Sequence, residues 1–278
     1  MTDEDYPETL RLPLHERGAA LVRTAALTHK PAAFVAREVA ARRPRRDPGP
    51  PATHRYRLRK YDCELGIRHG TLDVALLFDI MVRRGYQPPD PVLRTAQESD
   101  GIRVVDLGAN IGLFAAFLSS IATVSHYVGY EPDRTNAALL RDNLAGCPAL
   151  GEARLVEACA GVAEGEVSFL EGQFQESRVV PGESEPGSRV VPVHDAYRDM
   201  AEADWVKIDI EGSEWDIIGD PRFRELPARV IVLEYHRWMA PGDDPGRLAT
   251  DILTAAGYSV WAKPEQIPGY GELWGMRL

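Results

Sequence analysis

Charged residues crowd one short segment of the chain, WVKIDIEGSEWDII at 205–218. Its first part alternates apolar and polar residues, as a strand does, which puts Lys207 and Asp209 on one face. After Gly212 the apolar spacing becomes helical. An aspartate that closes a buried strand costs free energy unless it is paired or binds something. Asp209 is therefore the first candidate for chemistry in this sequence.

The following apolar segment, VIVLEYHRW at 230–238, puts Glu234 and His236 on one face near the carboxyl end of a strand. In a doubly wound sheet such strand ends border one crevice, so Asp209, Glu234 and His236 are expected to lie together. A histidine there can act as a general base that takes a proton from a substrate hydroxyl, with Asp209 as the second candidate for that role. The alternative is a hydrogen-bonded histidine at the rim.

The two glutamates of the charged segment have separate interpretations. Glu211 is expected in the turn beside Asp209. Glu214 begins the helix, so a cap or a salt bridge with Lys207 explains it. Asp209 and Glu234 also form a pair that, with waters, could bind Mg²⁺. The sequence leaves that metal open without favouring it.

A glycine turn follows the first strand signal, in VVDLGANIGLF at 104–114. Asp106 ends the strand, and Gly108 and Gly112 lie in a turn that opens a helix, where glycine permits close approach of a ligand. Free N–H groups at the helix start favour an anionic group. The spacing G-x-x-x-G differs from the dinucleotide fingerprint G-x-G-x-x-G. An acid at position 106 would repel a pyrophosphate but suits an α-ammonium group.

The second strand ends in VGYEPD, so Glu131 lies at its tip, where a carboxylate can accept both hydroxyls of a ribose. A ribose, an ammonium group and a carboxylate together describe S-adenosylmethionine better than NAD. Backbone groups after the third strand are expected near the adenine edge. The alternative is a helix-capping turn with no ligand. The predicted cofactor-binding residues are Asp106, Gly108, Ala109, Asn110, Gly112, Glu131, Pro132, Cys159 and Ala160.

Strand and helix signals alternate from residue 101 onward, which predicts an α/β fold with a doubly wound, mostly parallel sheet and helices on both faces. Predicted strands cover 102–107, 125–130, 153–159, 165–170, 205–210 and 230–235, with a closing hairpin at 258–263 and 272–278. Predicted helices cover 112–122, 132–144 and 245–256.

Four motifs, in this order, resemble the FkbM-type S-adenosylmethionine-dependent methyltransferases: VVDLGANIGLF, YEPD, VKIDIEGSEWDIIG and IVLEYH. The segment GIRHGTLDVALLFDIMVRRGYQPP is also similar, with Arg68, Asp73 and Tyr86 at recognisable places. The resemblance covers about residues 66–262. It implies a class I methyltransferase (Rossmann-like) fold of seven strands, and methyl transfer usually to a hydroxyl of a sugar or secondary metabolite. By position it implies cofactor binding by the glycine turn and Glu131, and a methyl-transfer site shaped by Asp209, Glu211 and Glu214.

Three parts of the chain are predicted from composition. Residues 1–60 form a helical N-terminal extension with a basic, proline-rich linker at 37–60. Residues 61–100 form a helical segment with an amphipathic helix at 71–86, and residues 101–278 form the S-adenosylmethionine-binding domain. The polar, glycine-containing loop at 174–191 has the composition of a lid, or of a plain insertion.

The bulk composition, with 44% hydrophobic and 27% charged residues, is that of a soluble globular protein. The sequence contains no run of 18 apolar residues, so no membrane span is predicted. The acidic N-terminus is unlike a signal peptide. A net charge of −10 disfavours a nucleic-acid partner. Three scattered cysteines predict reduced thiols and a cytoplasmic protein. The oligomeric state is left open.

The sequence thus predicts an S-adenosylmethionine-dependent O-methyltransferase acting on a small-molecule acceptor that carries a hydroxyl. An NAD-dependent oxidoreductase shares the strand, the glycine turn and the ribose acid, but the glycine spacing and Asp106 disfavour it. A non-catalytic adapter that retains the cofactor pocket is the other alternative.

Overall fold

The computed structural model of the chain describes residues 14–43, 49–170, 178–179, 187–237, 239–265 and 268–277. Most of the predicted lid at 174–191 lies outside these residues.

The helices are α1 Leu14–Ala26, α2 Pro31–Ala41, α3 Asp73–Leu77, α4 Asp90–Gln97, α5 Leu113–Leu118, α6 Arg134–Ala145, α7 Tyr197–Met200, α8 Glu214–Gly219 and α9 Pro245–Ala255. A π-helical turn, Phe78–Arg83, continues α3, and a 3-10 turn, Pro221–Glu225, follows α8. The strands are β1 Thr53–Arg57, β2 Glu64–Arg68, β3 Ile102–Leu107, β4 Val124–Tyr130, β5 Leu150–Val156, β6 Cys159–Gly161, β7 Gly165–Leu170, β8 Arg178–Val179, β9 Ser188–Asp195, β10 Trp205–Ile208, β11 Val230–His236, β12 Ser259–Ala262 and β13 Tyr270–Met276.

The main sheet has seven strands in the order β12-β13-β11-β10-β3-β4-β5. The five strands from β11 to β5 are parallel, and β13 runs antiparallel to both of its neighbours. The sequence order of the strands reverses between β3 and β10, and ligands of open α/β sheets bind at such a switch point. The predicted class I methyltransferase fold, with its mostly parallel seven-stranded sheet and closing hairpin, is confirmed.

Each face of the sheet is covered by its own hydrophobic core, as the strand alternation requires. Val104 of β3 and Val230 of β11 pack in the core that also contains residues of α1 to α6. Val105 and Ile231, their neighbours in sequence, point the other way into the core formed with α7, α8 and α9. Side chains of a strand alternate between faces, so near-continuous apolar runs fill both cores.

The third predicted strand, 153–159, is wrong at its end. The main-sheet strand β5 stops at Val156, and Cys159 begins β6, which belongs to a second, four-stranded sheet of order β6-β9-β7-β8. The chain therefore changes sheets between these residues, and the apolar pattern does not record such a change.

The tract at 37–60, predicted to be a basic linker, contains the end of α2 and all of β1. Tyr56 and Leu58 are buried in the core shared with β3, whereas Arg55, Arg57 and Arg59 are exposed. Arg55 and Arg57 thus form the outer face of a strand with ordinary alternation. Residues 44–48 of the tract lie outside the described part, and the division of the chain into three parts stays a prediction.

The cysteine prediction is wrong for two of the three residues, because Cys63 and Cys147 form a disulfide. Cys63 directly precedes β2 and Cys147 closely follows α6, so packing of these elements brings together two residues separated by 84 positions. Such proximity is a property of the fold and cannot be deduced from spacing. Cys159 is a free, buried thiol.

Within the described residues, no helix is both long enough and apolar enough to cross a membrane.

Candidate active site

The glycine turn, residues 108–112, joins β3 to α5 at the switch point of the sheet. Gly108 and Gly112 both have φ of 83°, and Asn110 between them has φ of 49°. A Cβ atom on Gly108 would lie 1.8 Å from the backbone oxygen of Asp209, so only glycine fits there. The turn therefore packs directly against the end of β10.

Glu131, at the tip of β4, is tied to the glycine turn by backbone N–H groups. One carboxylate oxygen accepts from the Asn110 N–H at 2.8 Å, and the other accepts from the Asp133 N–H at 2.9 Å. Burial raises the pKa of Glu131 to about 8. The predicted ribose acid is thus buried at the turn, with its position set by the backbone.

Asp106 lies beneath the turn and is fully buried. The Tyr127 hydroxyl donates to its Oδ2 at 2.5 Å, and the Lys207 ammonium group lies 3.2 Å from its Oδ1. Burial raises the pKa of Asp106, and Lys207 opposes that rise. Asp106 is therefore already paired with a cation of this chain, and its predicted contact with an ammonium group of a cofactor stays a prediction.

Lys207 joins the two strand ends at the switch point. Its Nζ donates to the Gly108 carbonyl at 3.2 Å and to Asp209 Oδ2 at 3.1 Å, and it also lies against Asp106. Burial lowers the pKa of Lys207, but the carboxylates around it raise it well above its ordinary value. The predicted salt bridge between Lys207 and Glu214 is wrong, because Lys207 pairs with Asp106 and Asp209 whereas Glu214 pairs with His236.

The carboxylate cluster comprises Asp209, Glu211, Glu214, Glu234 and His236, at the ends of β10 and β11. The expected convergence of Asp209, Glu234 and His236 is seen, since one ligand atom of each lies within 4.8 Å of the other two. The Tyr86 hydroxyl is 2.9 Å from Glu234 Oε2 and 3.2 Å from Asp209 Oδ2. A tyrosine from the segment before the sheet therefore completes the cluster.

His236 is enclosed by carboxylates on both sides of its ring. Nδ1 lies 3.0 Å from Glu214 Oε1, and Nε2 lies 3.4 Å from Glu211 Oε2. The same Glu214 oxygen accepts the backbone N–H of His236 at 2.7 Å. Burial lowers the pKa of His236, but the charges of Glu211, Glu214 and Glu234 outweigh this and leave it well above the ordinary value. A histidine that keeps its proton is a poor proton acceptor.

The other cluster carboxyls are shifted by burial and by one another. Burial, together with the nearby charge of Asp209, raises the pKa of Glu234 to about 7. Burial likewise raises the pKa of Glu211 to about 8. Glu211 also has a left-handed backbone, with φ of 53°, which is strained for a residue with a side chain. Strain and shifted carboxyls at one place are features of functional sites.

Three predicted cofactor residues already have hydrogen-bonding partners within the chain. Cys159 and Ala160 belong to β6 and pair with β9, so part of their backbone is already hydrogen-bonded. Burial raises the pKa of the Cys159 thiol to about 12, which makes it unreactive. Pro132 follows Glu131 and accepts a hydrogen bond from Arg189 at 2.7 Å through its carbonyl.

The sequence interpretation missed a role for Tyr86 and the partners of Lys207. Tyr86 lies in the GY dipeptide that follows the π-helical turn, and its resemblance to the family was noticed without a function. Only a pairing between residues 123 positions apart would have shown its contact with Asp209. Lys207 alternates with Asp209 on one face, which is the signal that could have identified their ion pair.

Comparison with solved structures finds methyltransferases of low sequence identity. The chain is 18% identical to a precorrin-6y C5,15-methyltransferase from Geobacter metallireducens GS-15, over 67% of this chain and 87% of that one, with a TM-score of 0.41. It is 13% identical to magnesium protoporphyrin IX methyltransferase from Synechocystis PCC 6803, over 68% and 76%, with a TM-score of 0.39. It is 12% identical to fibrillarin from Aeropyrum pernix, over 64% of this chain and 67% of that one, with a TM-score of 0.39. These TM-scores are low, so the fold rests on the strand order described above.

Comparison with curated proteins gives no match. The sequence profile of the methyltransferase FkbM domain, in contrast, matches residues 106–260, which is more than half of the chain. The match begins at Asp106, takes in the glycine turn and the whole carboxylate cluster, and ends in β12. The chain belongs to the FkbM methyltransferase family.

Proposed function

We propose that this protein transfers a methyl group from S-adenosylmethionine to a hydroxyl oxygen of a sugar or secondary metabolite. The observation that carries the proposal is the contact between the glycine turn and the strand end that bears Asp209, where an added Cβ on Gly108 would meet the Asp209 carbonyl. A donor held at the turn and an acceptor held at the carboxylate cluster would therefore be neighbours. Holding two reactants in line supplies much of the rate of such a displacement.

The residues at the glycine turn fit this cofactor by the chemistry of their donors and acceptors. Glu131 receives two backbone N–H groups and a side-chain hydrogen bond from Asn136, and a carboxylate has about four acceptor positions, so the ionised group keeps an acceptor position for a ribose hydroxyl. Gly108 and Gly112 combine positive φ with the lack of a side chain, so the backbone of the turn can approach a ligand closely. When bound, the cofactor supplies a methyl group activated by a positively charged sulfur.

Asp209 and Glu234 are the groups to which we assign the acceptor's proton. Each contacts the Tyr86 hydroxyl through one oxygen, and Asp209 Oδ1 and Glu234 Oε1 accept no hydrogen bond from any described residue. The pKa of Glu234, raised to about 7 by burial, is near the value at which a general base is most effective. His236, first considered as the base, instead holds Glu211 and Glu214 as a cation.

A divalent metal is the competing use of the same side chains. Asp209, Glu234 and His236 each offer one ligand atom at mutual distances within 4.8 Å, and Mg²⁺ prefers such carboxylate oxygens. EDTA added to a transfer assay separates the two uses. Activity that persists in EDTA supports proton transfer to the carboxylates alone. Activity that is lost and then restored by Mg²⁺ assigns the same carboxylates to the metal.

The proposal is tested by following a labelled methyl group from S-adenosylmethionine onto a panel of hydroxylated sugars and secondary metabolites, with amine and thiol analogues alongside. Label on a hydroxyl oxygen is the expected result. Label found only on nitrogen, sulfur or carbon would contradict the O-directed part. Calorimetric titration with S-adenosylhomocysteine and with NADH runs in parallel, and binding of NADH alone would favour an oxidoreductase. Cofactor binding without transfer to any acceptor would favour an adapter.

A cytoplasmic location stays a prediction, and the disulfide between Cys63 and Cys147 weighs against it. Reducing compartments keep most thiols free, so a stable disulfide is unusual there. Mass spectrometry of the protein, alkylated as cells are lysed, measures whether the pair is oxidised in its native compartment.

A further inference from the structure

Tyr86 is buried between the two strand ends that carry the carboxylate cluster, although it belongs to a segment that precedes the sheet. Its hydroxyl lies 2.9 Å from Glu234 on β11 and 3.2 Å from Asp209 after β10. A phenol has one proton to donate. The shorter contact makes Glu234 its principal acceptor, while Asp209 also receives Lys207 at 3.1 Å. Tyr86 therefore links Glu234 to an existing ion pair.

The ring of Tyr86 is held as firmly as its hydroxyl. It packs edge-on against Phe114, with 5.2 Å between ring centroids. The Lys207 ammonium group lies 5.6 Å from the centroid of the Tyr86 ring. Side chains from α5 and β10 thus fix the ring on two sides. A tyrosine fixed in this way can set the position of whatever its hydroxyl contacts.

The backbone before Tyr86 is shaped to deliver it. The π-helical turn Phe78–Arg83 ends at Arg84, which has a left-handed backbone with φ of 59°. The Gly85 carbonyl then accepts a hydrogen bond from Lys263 beyond β12, and the Gly85 N–H donates to the Asp79 carbonyl at 2.9 Å. π-Helical turns are rare and occur often at functional sites. A strained, doubly anchored corner is more than a buried tyrosine needs for packing alone.

Two carboxylates this close repel each other when both are ionised. Lys207 compensates Asp209 directly, but its Nζ donates no hydrogen bond to Glu234, which among the described residues receives only the Tyr86 hydroxyl. We propose, on the basis of the function proposed above, that Tyr86 is a positioning residue that holds Glu234 beside Asp209, so that their free oxygens face one acceptor hydroxyl together.

The test is a double-mutant cycle of Tyr86→Phe with Glu234→Gln, measured as kcat and KM for methyl transfer. Tyr86→Phe keeps the ring and removes the hydroxyl, so kcat falls by about 10- to 100-fold, as expected for a misplaced group, while KM for S-adenosylmethionine is unchanged. In the Glu234→Gln background the repulsion is gone, and the same change costs much less. An equal loss in both backgrounds, or no loss in either, would overturn the proposal.

Tyr258→Phe is the matched control. Tyr258 is also buried and donates its hydroxyl to a backbone carbonyl, that of Ala228, at 2.8 Å, and its ring lies against Phe223 and Arg277, neither of which belongs to the cluster. Its loss lowers stability without changing kcat or coupling to Glu234→Gln. If Tyr86→Phe does not fold, the double variant decides: relief of repulsion restores folding, and failure to restore it contradicts the positioning role.

Crystal structures of the wild type and of Tyr86→Phe give a readout that needs no turnover. The Asp209 and Glu234 carboxylates are expected to lie farther apart in the variant, and an unchanged separation would overturn the positioning role. A wild type that transfers no methyl group to any acceptor would instead overturn the proposed function, and the crystallographic comparison would still stand.

Discussion

The glycine turn and the carboxylate cluster lie side by side at one sheet edge but are built in opposite ways. At the glycine turn, Glu131 is held by backbone N–H groups of residues within 21 positions of it. In the cluster, Glu234 is held by the side chain of Tyr86, 148 positions away. Glu131 is buried and Glu234 is half-buried, and both have raised pKa values, so the direction of the pKa shift does not distinguish them.

The difference lies in what a single substitution can remove. Backbone donors are present whatever the side chains are, so the glycine turn depends mainly on its glycines and on Glu131. The cluster depends on side chains that compensate one another's charges, and removing one leaves another buried and unpaired, which is costly. The turn is expected to fail through backbone geometry, and the cluster through loss of charge balance.

The largest effect is expected from Asp209→Asn in the cluster. The change removes a proton acceptor and one partner of Lys207, so kcat should fall by about 10²- to 10⁴-fold. Binding of S-adenosylhomocysteine should be nearly unchanged, because Glu131 and the turn are untouched. Steady-state kinetics and calorimetry measure the two. Asp216→Asn, an exposed position in the same segment, is the control; equal losses in both variants would contradict the assignment.

Gly108→Ala should damage the turn through its backbone. The new Cβ would collide with the Asp209 carbonyl at 1.8 Å and would sit at φ of 83°. Strain and overpacking together predict a loss of about 2–5 kcal/mol in the free energy of unfolding, measured by urea denaturation. Gly165→Ala, where an added Cβ meets nothing within 4 Å, should be nearly neutral. Equal stability of the two variants would mean that the turn can move away from β10.

The glycine turn and the carboxylate cluster also differ in how well the sequence predicts them. The glycine turn was predicted well, because Asp106, Gly108 and Glu131 follow strand signals within a short stretch and their types suit local backbone demands. The convergence of Asp209 with Glu234 followed from strand ends meeting at one edge. Tyr86 could not be placed, since its contacts depend on how the segment before the sheet packs, and local periodicity carries no record of that.

The same limit applies to the N-terminal side of the glycine turn. Asn143 of α6 accepts the Gly66 N–H at 2.6 Å and donates to the Ile111 carbonyl at 2.8 Å, which ties β2 to the turn. Arg68 and Asp73 form a buried ion pair at 2.8 Å on the same segment. The family resemblance pointed to Arg68 and Asp73, but only the fold shows that β2 is braced against the turn through Asn143.

Reduction of the Cys63–Cys147 disulfide tests that brace. The bond closes a loop that runs from just before β2 to just after α6, with its ends 84 positions apart. Its loss should lower the free energy of unfolding by about 2–4 kcal/mol. Thermal unfolding with and without dithiothreitol measures the change, and a Cys63→Ser/Cys147→Ser variant should show no response to reductant. Because the disulfide joins β2 to α6, and Asn143 of α6 contacts the glycine turn, weaker cofactor binding should accompany reduction. A loss of kcat at saturating cofactor would place its influence in the cluster instead.

Glu131→Gln should give the mirror image of Asp209→Asn. Above pH 8, where Glu131 is ionised, hydrogen bonds to the charged group contribute about 1.5–3 kcal/mol, so the dissociation constant for S-adenosylhomocysteine should rise roughly 10- to 100-fold there. At saturating cofactor, kcat should change little, since the cluster is intact. Calorimetry and kinetics on this variant, compared with Asp209→Asn, show whether binding and transfer separate between the two regions. A kcat loss as large as that of Asp209→Asn would show that binding and transfer are not separated between the two regions.

The smallest effect expected is the pH dependence of transfer. A proton acceptor with a pKa of about 7, as for Glu234, is ionised only above that value. The rate constant kcat/KM should therefore rise about tenfold between pH 6 and a plateau above pH 8, with an apparent value that belongs to the coupled carboxyls. Glu234→Gln should flatten the profile. A profile that falls with rising pH would contradict a carboxylate base.

Stability should move in the opposite direction across the same interval. Folded Glu234 keeps its proton to about pH 7, whereas in the unfolded chain it loses it near the ordinary value of 4.5, so unfolding releases a proton between these values. The contribution of this group is fully present below pH 4.5 and is lost as pH rises through about 7. The pKa of His236 is also raised in the folded state, so its contribution to stability is likewise lost as pH rises. The wild type should therefore lose more stability than Glu234→Gln between pH 5 and 8 in urea denaturation, and the pH that activates the cluster is the pH that destabilises it.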